Sequence, residues 1–359
     1  MVNLSSCRVY FDFQILFAQR YGGISRYFYE LIPELRALGV QCDISCVHNH
    51  NYYFADSFGF HDTSLSEKAV FWFINKFKAH HDTKRTHYDI IHPTYYYMSY
   101  GKKSKIVLDI HDMIPEIYHI NERLISAKKK TLHEADRIIS VSENTKRDLL
   151  TIYPDIEPER ICVIHHGASM THRDRIPDML EFMKSRDYVI FVGNRAGYKN
   201  FSRFIEAMKA IMNIHRDLCV LCAGGGEFTH DELDLIRGYE SRIIRAGLSD
   251  DELVSAYSHA LCFVFPSLYE GFGLPVLEAF ACDCPVVCSS SSSLPEVAGD
   301  AAEYFDGNDC DDIADKITSV IECESLRDDL RRKGRERLKL FDWKKTAIET
   351  LKCYEEALS

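Results

Sequence analysis

The sequence predicts an α/β protein built from two Rossmann-like, doubly wound domains that face a cleft. Three observations carry that expectation. Strand-length apolar runs alternate with helix-period segments along nearly the whole chain, the pattern of βαβ crossovers around a parallel sheet. The alternation lapses once, in the polar stretch His166–Arg186, and then restarts. The chain of 359 residues also exceeds what one hydrophobic core usually serves. The domains therefore read as 1–165 and 187–340, joined by a linker at 166–186. Residues 341–359 form a closing helix expected to pack back towards the first domain.

In the first half, short buried strands are expected at Arg8–Phe11, Cys42–Val47, Asp89–His92, Ile106–Ile110, Ile138–Val141 and Ile161–Ile164. A helix is expected over Ser25–Leu38, where Tyr27, Phe28, Leu31, Leu35 and Leu38 recur at helical spacing. In the second half the strands are expected at Tyr188–Gly193, Leu218–Ala223, Arg242–Arg245, Leu261–Phe265 and Pro285–Cys288. Three helical patterns close the chain, the last over Trp343–Ala357, and Ser289–Ser293 is the one low-complexity run.

Composition excludes several classes. A net charge of −11 argues against a nucleic-acid partner, which needs a basic footprint. Two local basic patches stay open, at Lys102, Lys103 and Lys105, and at Lys128, Lys129 and Lys130. The longest apolar runs are strand-length, and the amino terminus has no signal-peptide core, so the protein is expected in the cytoplasm. Thirteen cysteines in such a chain read as buried reduced thiols. Cys219 and Cys222 are spaced C-x-x-C, but on a strand residues three apart point to opposite faces and cannot share a metal. The segment from Ala69 to Arg85 is aromatic and basic. It reads either as a core helix or as a peripheral contact with the inner face of a membrane.

Ligands of doubly wound sheets bind beyond the carboxyl ends of the strands, so chemistry is sought there. After Leu261–Phe265 comes a loop carrying Glu270, Gly271, Phe272 and Gly273, then a helix opening at Leu274-Pro275. Proline suits a first helical turn. The glycines let backbone approach a ligand, and the helix start attracts a diphosphate. Glu278, one turn in, can accept two hydrogen bonds from a ribose diol. Singly, Glu270 would read as a capping acid and Glu278 as a surface residue; together with the glycines and proline, the functional reading wins. Arg195 and Lys199 follow the first strand of the second half. Two cations there can neutralise a departing diphosphate, where the alternative is solvated loop charge. His111-Asp112 follows Ile106–Ile110, a position where histidine is more often structural. Gly224-Gly225-Gly226-Glu227 lacks the spacing of a nicotinamide fingerprint. No Asp-x-Asp follows a strand, and Asp309, Asp311 and Asp312 read as helix-start acids, so no metal site is expected.

Glu270 and Glu278, with Gly-Phe-Gly-Leu-Pro-Val-Leu between them, match the paired glutamates of the family-4 glycosyltransferases of the GT-B fold. The resemblance runs over most of the chain. Tyr21-Gly22-Gly23-Ile24-Ser25-Arg26 is similar to the family's first glycine loop, and Ala135–Ser142 resembles its last amino-terminal-domain strands. Ser293–Ala302 follows its carboxyl-terminal pattern, and Gly224–Glu227 its glycine turn near the nucleotide base. Two positions depart. Tyr198 stands where an arginine commonly precedes the lysine, so Lys199 carries the match and Arg195 follows from proximity. Asp283 replaces a usual glycine, at little cost because aspartate tolerates a left-handed turn.

The resemblance implies an acceptor domain first and a nucleotide-sugar donor domain second. Glu278 would hold the donor ribose, Glu270 would lie beside the transferred sugar, and the Phe272–Leu274 amides would meet diphosphate or sugar hydroxyls. Gly22 and Gly23 would line the donor, and His111 would reach its sugar hydroxyls across the cleft. It implies retaining transfer without metal or cofactor, the acceptor attacking from the face the diphosphate leaves. The motifs look most like the branch that builds bacterial surface polysaccharides such as lipopolysaccharide, where GDP-mannose is a frequent donor and UDP-hexoses the alternative. The expected acceptor is a glycan or lipid-linked oligosaccharide. Two rivals remain: a sugar-nucleotide 2-epimerase of the same fold, and a non-catalytic nucleotide-sugar-binding protein.

Overall fold

A computed structural model of the chain describes residues 7–62, 65–97, 100, 103–168, 186–195 and 197–359. The chain divides into two compact units, one of Met1–Gly167 with Asp342–Ser359, the other of Ala168–Phe341. The polar stretch expected as a linker lies mostly outside the described residues, at 169–185.

The first unit holds six parallel strands: β1 (Arg8–Phe11), β2 (Gln41–Ile44), β3 (Ile90–His92), β4 (Lys105–Ile110), β5 (Arg137–Ser140) and β6 (Ile161–Val163). Their order is β2-β1-β3-β4-β5-β6, so the winding reverses between β1 and β3, the point where such sheets bind ligands. The Gly23–Ala37 helix buries Tyr27, Phe28, Leu31 and Leu35, the positions its spacing selects. The Trp343–Leu358 helix shares that core through Trp343, Ala347, Cys353, Tyr354 and Ala357. It is also pinned by polar contacts. The Tyr354 hydroxyl lies 2.6 Å from His92 Nδ1, and His92 Nε2 lies 2.8 Å from Asp109 Oδ2, all buried.

In the run Lys128–Lys130, one of the two candidate basic patches, Lys128 turns inward while Lys129 and Lys130 are exposed. Lys128 Nζ is buried and donates to Glu116 Oε2 at 3.0 Å and to the Asp112 carbonyl at 2.6 Å. Tyr153 donates to the other Glu116 oxygen at 3.1 Å. The cause is helical phase: Lys128 stands one turn from both Leu124 and Leu132, which are themselves buried. In the other patch, Lys105 pairs with Asp136 at 2.9 Å, and Lys102 lies outside the described residues.

The second unit holds six more parallel strands: β7 (Tyr188–Val192), β8 (Cys219–Ala223), β9 (Ile243–Ala246), β10 (Cys262–Phe265), β11 (Val286–Ser289) and β12 (Ala302–Phe305). Their order is β12-β11-β10-β7-β8-β9, the dinucleotide-binding order, with its reversal between β7 and β10. Strand β12 has no counterpart in the sequence reading; its middle residues Glu303 and Tyr304 are half-buried, so it carries no continuous apolar run. Asp283 takes the left-handed conformation, φ 56°, and the Arg335 guanidinium grips its carboxylate at 2.6 and 2.9 Å. Asp309 caps the Cys310–Glu322 helix by accepting from the Asp311 and Asp312 amides.

All thirteen cysteines are free thiols, and burial pushes the Cys222 thiol up to about 12. Among the described residues no helix is long and apolar enough to cross a membrane, and no group of three or more His, Cys, Asp or Glu is placed to hold a metal ion.

Candidate active site

In the second unit, Lys199 leaves the loop after β7 and Glu270 the loop after β10, on the two sides of the winding reversal. They meet: Lys199 Nζ donates to Glu270 Oε1 at 2.6 Å, with both side chains mostly buried. The ammonium also lies 5.2 Å from the centroid of the Phe265 ring. Three residues past Glu270, Gly273 caps the Leu274–Ala281 helix at φ 111°, with Pro275 in the first turn. A Cβ on Gly273 would come within 2.9 Å of the Leu294 side chain, so both conformation and space require glycine there. Gly271 and Phe272 are buried beside it, and Leu274 and Glu278 are half-buried. Pro275 has no N–H and the Val276 amide donates to the Gly273 carbonyl at 2.9 Å, so the first turn offers the Leu274 amide, a donor of the kind that can meet a diphosphate at a helix start.

Arg195 is committed elsewhere. Its Nε donates to Glu232 Oε1 at 2.7 Å. Its terminal nitrogens donate to the carbonyls of Gly224 (3.1 Å), Gly225 (3.2 Å), Gly226 (3.1 Å) and Glu227 (2.8 Å). Its side chain is 3% exposed. Burial alone would raise the Glu232 carboxyl, but Arg195 and Thr229 together hold it below its ordinary value. Gly224, Gly225 and Gly226 all have φ between 70° and 88°, and Arg195 gathers the carbonyls that this left-handed turn lines up. A guanidinium so engaged has little left for a departing diphosphate.

In the first unit, Gly22 caps the Gly23–Ala37 helix in extended backbone, and a Cβ on it would meet the Gln19 side chain at 2.4 Å. His111, just past β4, is buried with its ring edge-on to Tyr27 at 5.1 Å. Neither of its ring nitrogens has a hydrogen-bond partner among the described residues. Burial pushes its pKa down, against a weaker upward pull from Asp109 and Asp112, so the imidazole is neutral near pH 7. Buried polar atoms without partners are uncommon, and a bound hydroxyl would satisfy them. Asp112 caps a turn, accepting from the Ile114 amide at 3.0 Å.

Two family models cover most of the chain, Glycosyltransferase Family 4 over residues 21–171 and Glycosyl transferases group 1 over residues 172–337. The chain is 30% identical over 285 residues to O-antigen chain mannosyltransferase B of Escherichia coli, covering 74% of each. The chain is a family-4 glycosyltransferase of the GT-B fold. It also matches serotype-specific mannosyltransferase WbdA of Escherichia coli at 27% identity over 68% of its own length, but spans about a third (32%) of that longer protein. Among solved structures it resembles sucrose-phosphate synthase from Thermosynechococcus elongatus, with a TM-score of 0.76, 20% identity and 98% of each chain covered. At that identity the likeness speaks for the fold.

The serine run of this glycosyltransferase is part of the site's frame rather than low-complexity filler. The Glu270 amide donates to Ser292 Oγ at 2.8 Å, and Ser293 Oγ lies 2.9 and 2.8 Å from the Glu270 and Phe272 carbonyls. Asn200, left-handed at φ 56°, donates to the Gly307 carbonyl at 2.7 Å and fixes the residue after Lys199. One signal was present in the sequence: the serines follow an apolar strand directly, the same strand-end position that singled out the other loops.

Proposed function

We propose that this glycosyltransferase moves mannose, with retention, from GDP-mannose to a glycan or lipid-linked oligosaccharide of a bacterial surface polysaccharide. The observation that carries the transfer chemistry is the Lys199–Glu270 contact at 2.6 Å beside the Gly273 helix start. A lysine ammonium carries three donors, so a bond to Glu270 does not preclude bonds to phosphate. Lys199 stabilises the charge that develops on the diphosphate as the glycosidic bond breaks, and the Phe272–Leu274 amides share that load. Glu270 keeps the ammonium in place and lies beside the transferred sugar. Glu278 binds the ribose, Gly22 and Gly23 give room at the donor, and neutral His111 answers a sugar hydroxyl. The acceptor hydroxyl passes its proton to the leaving diphosphate, and no metal takes part.

The donor assignment is supported by the two mannosyltransferase relatives. Its test is slow hydrolysis measured side by side with GDP-mannose, UDP-glucose, UDP-galactose and UDP-N-acetylglucosamine. Preferential turnover of GDP-mannose is expected, undiminished by excess EDTA. Turnover of a UDP-sugar alone would overturn the donor, loss with EDTA would overturn metal independence, and epimerised free donor would mark a 2-epimerase.

A lipid-linked acceptor is supported by the Leu65–Arg85 helix. It leaves Val70 57%, Phe73 66%, Ile74 40% and Phe77 76% exposed, at the spacing of one helical face. The same helix carries Lys68, Lys76, Lys78, Lys84 and Arg85 against Glu67 and Asp82, a basic stretch on an acidic chain. Such a face suits an anionic bilayer interface. Sedimentation with anionic vesicles is expected for the wild type and not for Phe73→Ser/Phe77→Ser; equal recovery of both in the supernatant would reject the contact.

A further inference from the structure

The loop that leaves β7 carries Lys199 at its far end and is tied down along its length. At its start the Gly193 amide donates to the Ala223 carbonyl at 2.9 Å. At its end the Leu268 amide, in the loop after β10, donates to the Tyr198 carbonyl at 2.8 Å, and Asn200 Nδ2 donates to the Gly307 carbonyl at 2.7 Å. Between those ties Arg195 turns its guanidinium onto the segment that follows β8. Its acceptors there are the Glu232 carboxylate and the carbonyls of Gly224, Gly225, Gly226 and Glu227. They surround a group whose N–H donors all lie in one planar fork.

The engagement leaves the guanidinium one orientation. It lies 4.8 Å from the Phe228 ring centroid and 5.7 Å from that of Phe201. A Cβ on Gly225 would come within 2.5 Å of Arg195 Nη1 and 3.0 Å of the Gly193 carbonyl oxygen, so the turn backbone packs directly on the fork. Taking a guanidinium out of water is costly unless its charge is paired and its donors are filled, and Glu232 and the turn carbonyls do both. The backbone at Arg195 is thereby fixed to the loop after β8. Four residues further on, Lys199 reaches Glu270 at 2.6 Å from a backbone whose place these ties set.

We propose that Arg195 is a positioning residue for Lys199, clamping the loop after β7 to the glycine turn after β8 so that the ammonium is held where transfer needs it. The inference rests on the glycosyl-transfer reading, in which Lys199 meets the leaving diphosphate, and adds the residue that keeps it there. Displacing such a contact by about 1 Å is enough to cost roughly a hundred-fold in rate. Arg195 itself does not touch the diphosphate; its effect passes through Lys199. That gives it a signature of its own. A residue that only supports the fold, or that lends its own charge to the leaving group, slows transfer whether or not Lys199 is present. A positioning residue for Lys199 has nothing to position once the lysine is gone.

The experiment is a double-mutant cycle in the full chain, beside the unfolding midpoint of each variant. It reads the single-turnover hydrolysis of GDP-mannose, or of UDP-glucose should that turn over faster, with enzyme in saturating excess. Arg195→Lys keeps a charge but not the fork, and should slow the wild type roughly ten- to a hundred-fold. The same change made in Lys199→Met should alter the rate by less than about two-fold. Glu232→Gln neutralises the guanidinium's charge partner without removing its side chain. It should show the same dependence on Lys199 with a smaller loss, and it decides the question if Arg195→Lys fails to fold. Equal fold-losses with and without Lys199 would overturn the proposal, as would wild-type rates in both Arg195→Lys and Glu232→Gln. A Lys199→Met rate within a few-fold of the wild type would overturn the transfer reading at that lysine, a result seen before any change is made at Arg195.

Discussion

The two sheets have the same number of strands and place their loops at the same ends, yet they treat charge in opposite ways at the winding reversal. In the first unit the carboxylate at that point, Asp12, is fully buried and consumed by its own chain. It accepts from the Gln14 amide and side chain, from the Thr94 amide and hydroxyl, and from Tyr100. The imidazole just past β4, His111, is held below the ordinary histidine value by burial. In the second unit the reversal carries a cation–carboxylate contact, Lys199 with Glu270, beside a helix start. A carboxylate surrounded by donors fixes loops; an ammonium held by one carboxylate oxygen beside helix amides can act on a ligand's developing charge. Under the proposed transfer chemistry, shape and neutral hydrogen bonding fall to the first unit and electrostatic work to the second.

That division can be broken by substitution. The largest expected effect is structural and falls in the first unit. Lys128→Met leaves Glu116 buried without its cation, and losing one partner of a buried pair costs about 3–5 kcal/mol. Chemical denaturation should show the loss, and an unchanged midpoint would mean that Lys128 is not buried as described. Next is Glu278→Ala in the second unit, which removes charge-assisted hydrogen bonds worth about 1.5–3 kcal/mol each. GDP affinity should fall accordingly while the unfolding midpoint holds; an unaltered dissociation constant would remove the ribose from Glu278.

How far these assignments were legible follows from where each residue stands. The sheets could be read because parallel strands buried on both faces appear as apolar runs, and the loops because they follow those runs. Glu270, Lys199 and the glycines were found that way. Three consecutive lysines suggest a candidate patch at Lys128–Lys130, although Leu124 and Leu132 at one-turn spacing already mark the inward phase of Lys128. Arg195 was read from adjacency to Lys199; its capture by the Gly224–Glu227 carbonyls depends on the β8 loop, 29 residues further along. The Leu65–Arg85 helix resisted a single reading because it is apolar on both faces, burying Ala79 on one and exposing Phe77 on the other.

The smallest expected effect sharpens the neutral side of the comparison. Burial holds the folded pKa of His111 below the 6.5 of an ordinary histidine. The unfolded chain therefore binds a proton that the folded chain does not. Stability is intact above 6.5 and declines as pH falls through that value, by at most about 1.4 kcal/mol per pH unit for one proton. His166 is pushed down by burial in the same way, so His111→Phe should reduce the slope between pH 6.5 and 5 without abolishing it. An unchanged slope would mean that His111 is protonated in the fold.

The most direct test of the central assignment is the single-turnover rate of Lys199→Met with whichever nucleotide sugar the wild type uses best, at saturating donor. Loss of the group that stabilises the departing diphosphate should slow sugar release by about 10²–10³-fold, with the unfolding midpoint close to that of the wild type. A rate within a few-fold of wild type would contradict the account, because the charge work of the second unit would then lie elsewhere than at Lys199 and Glu270.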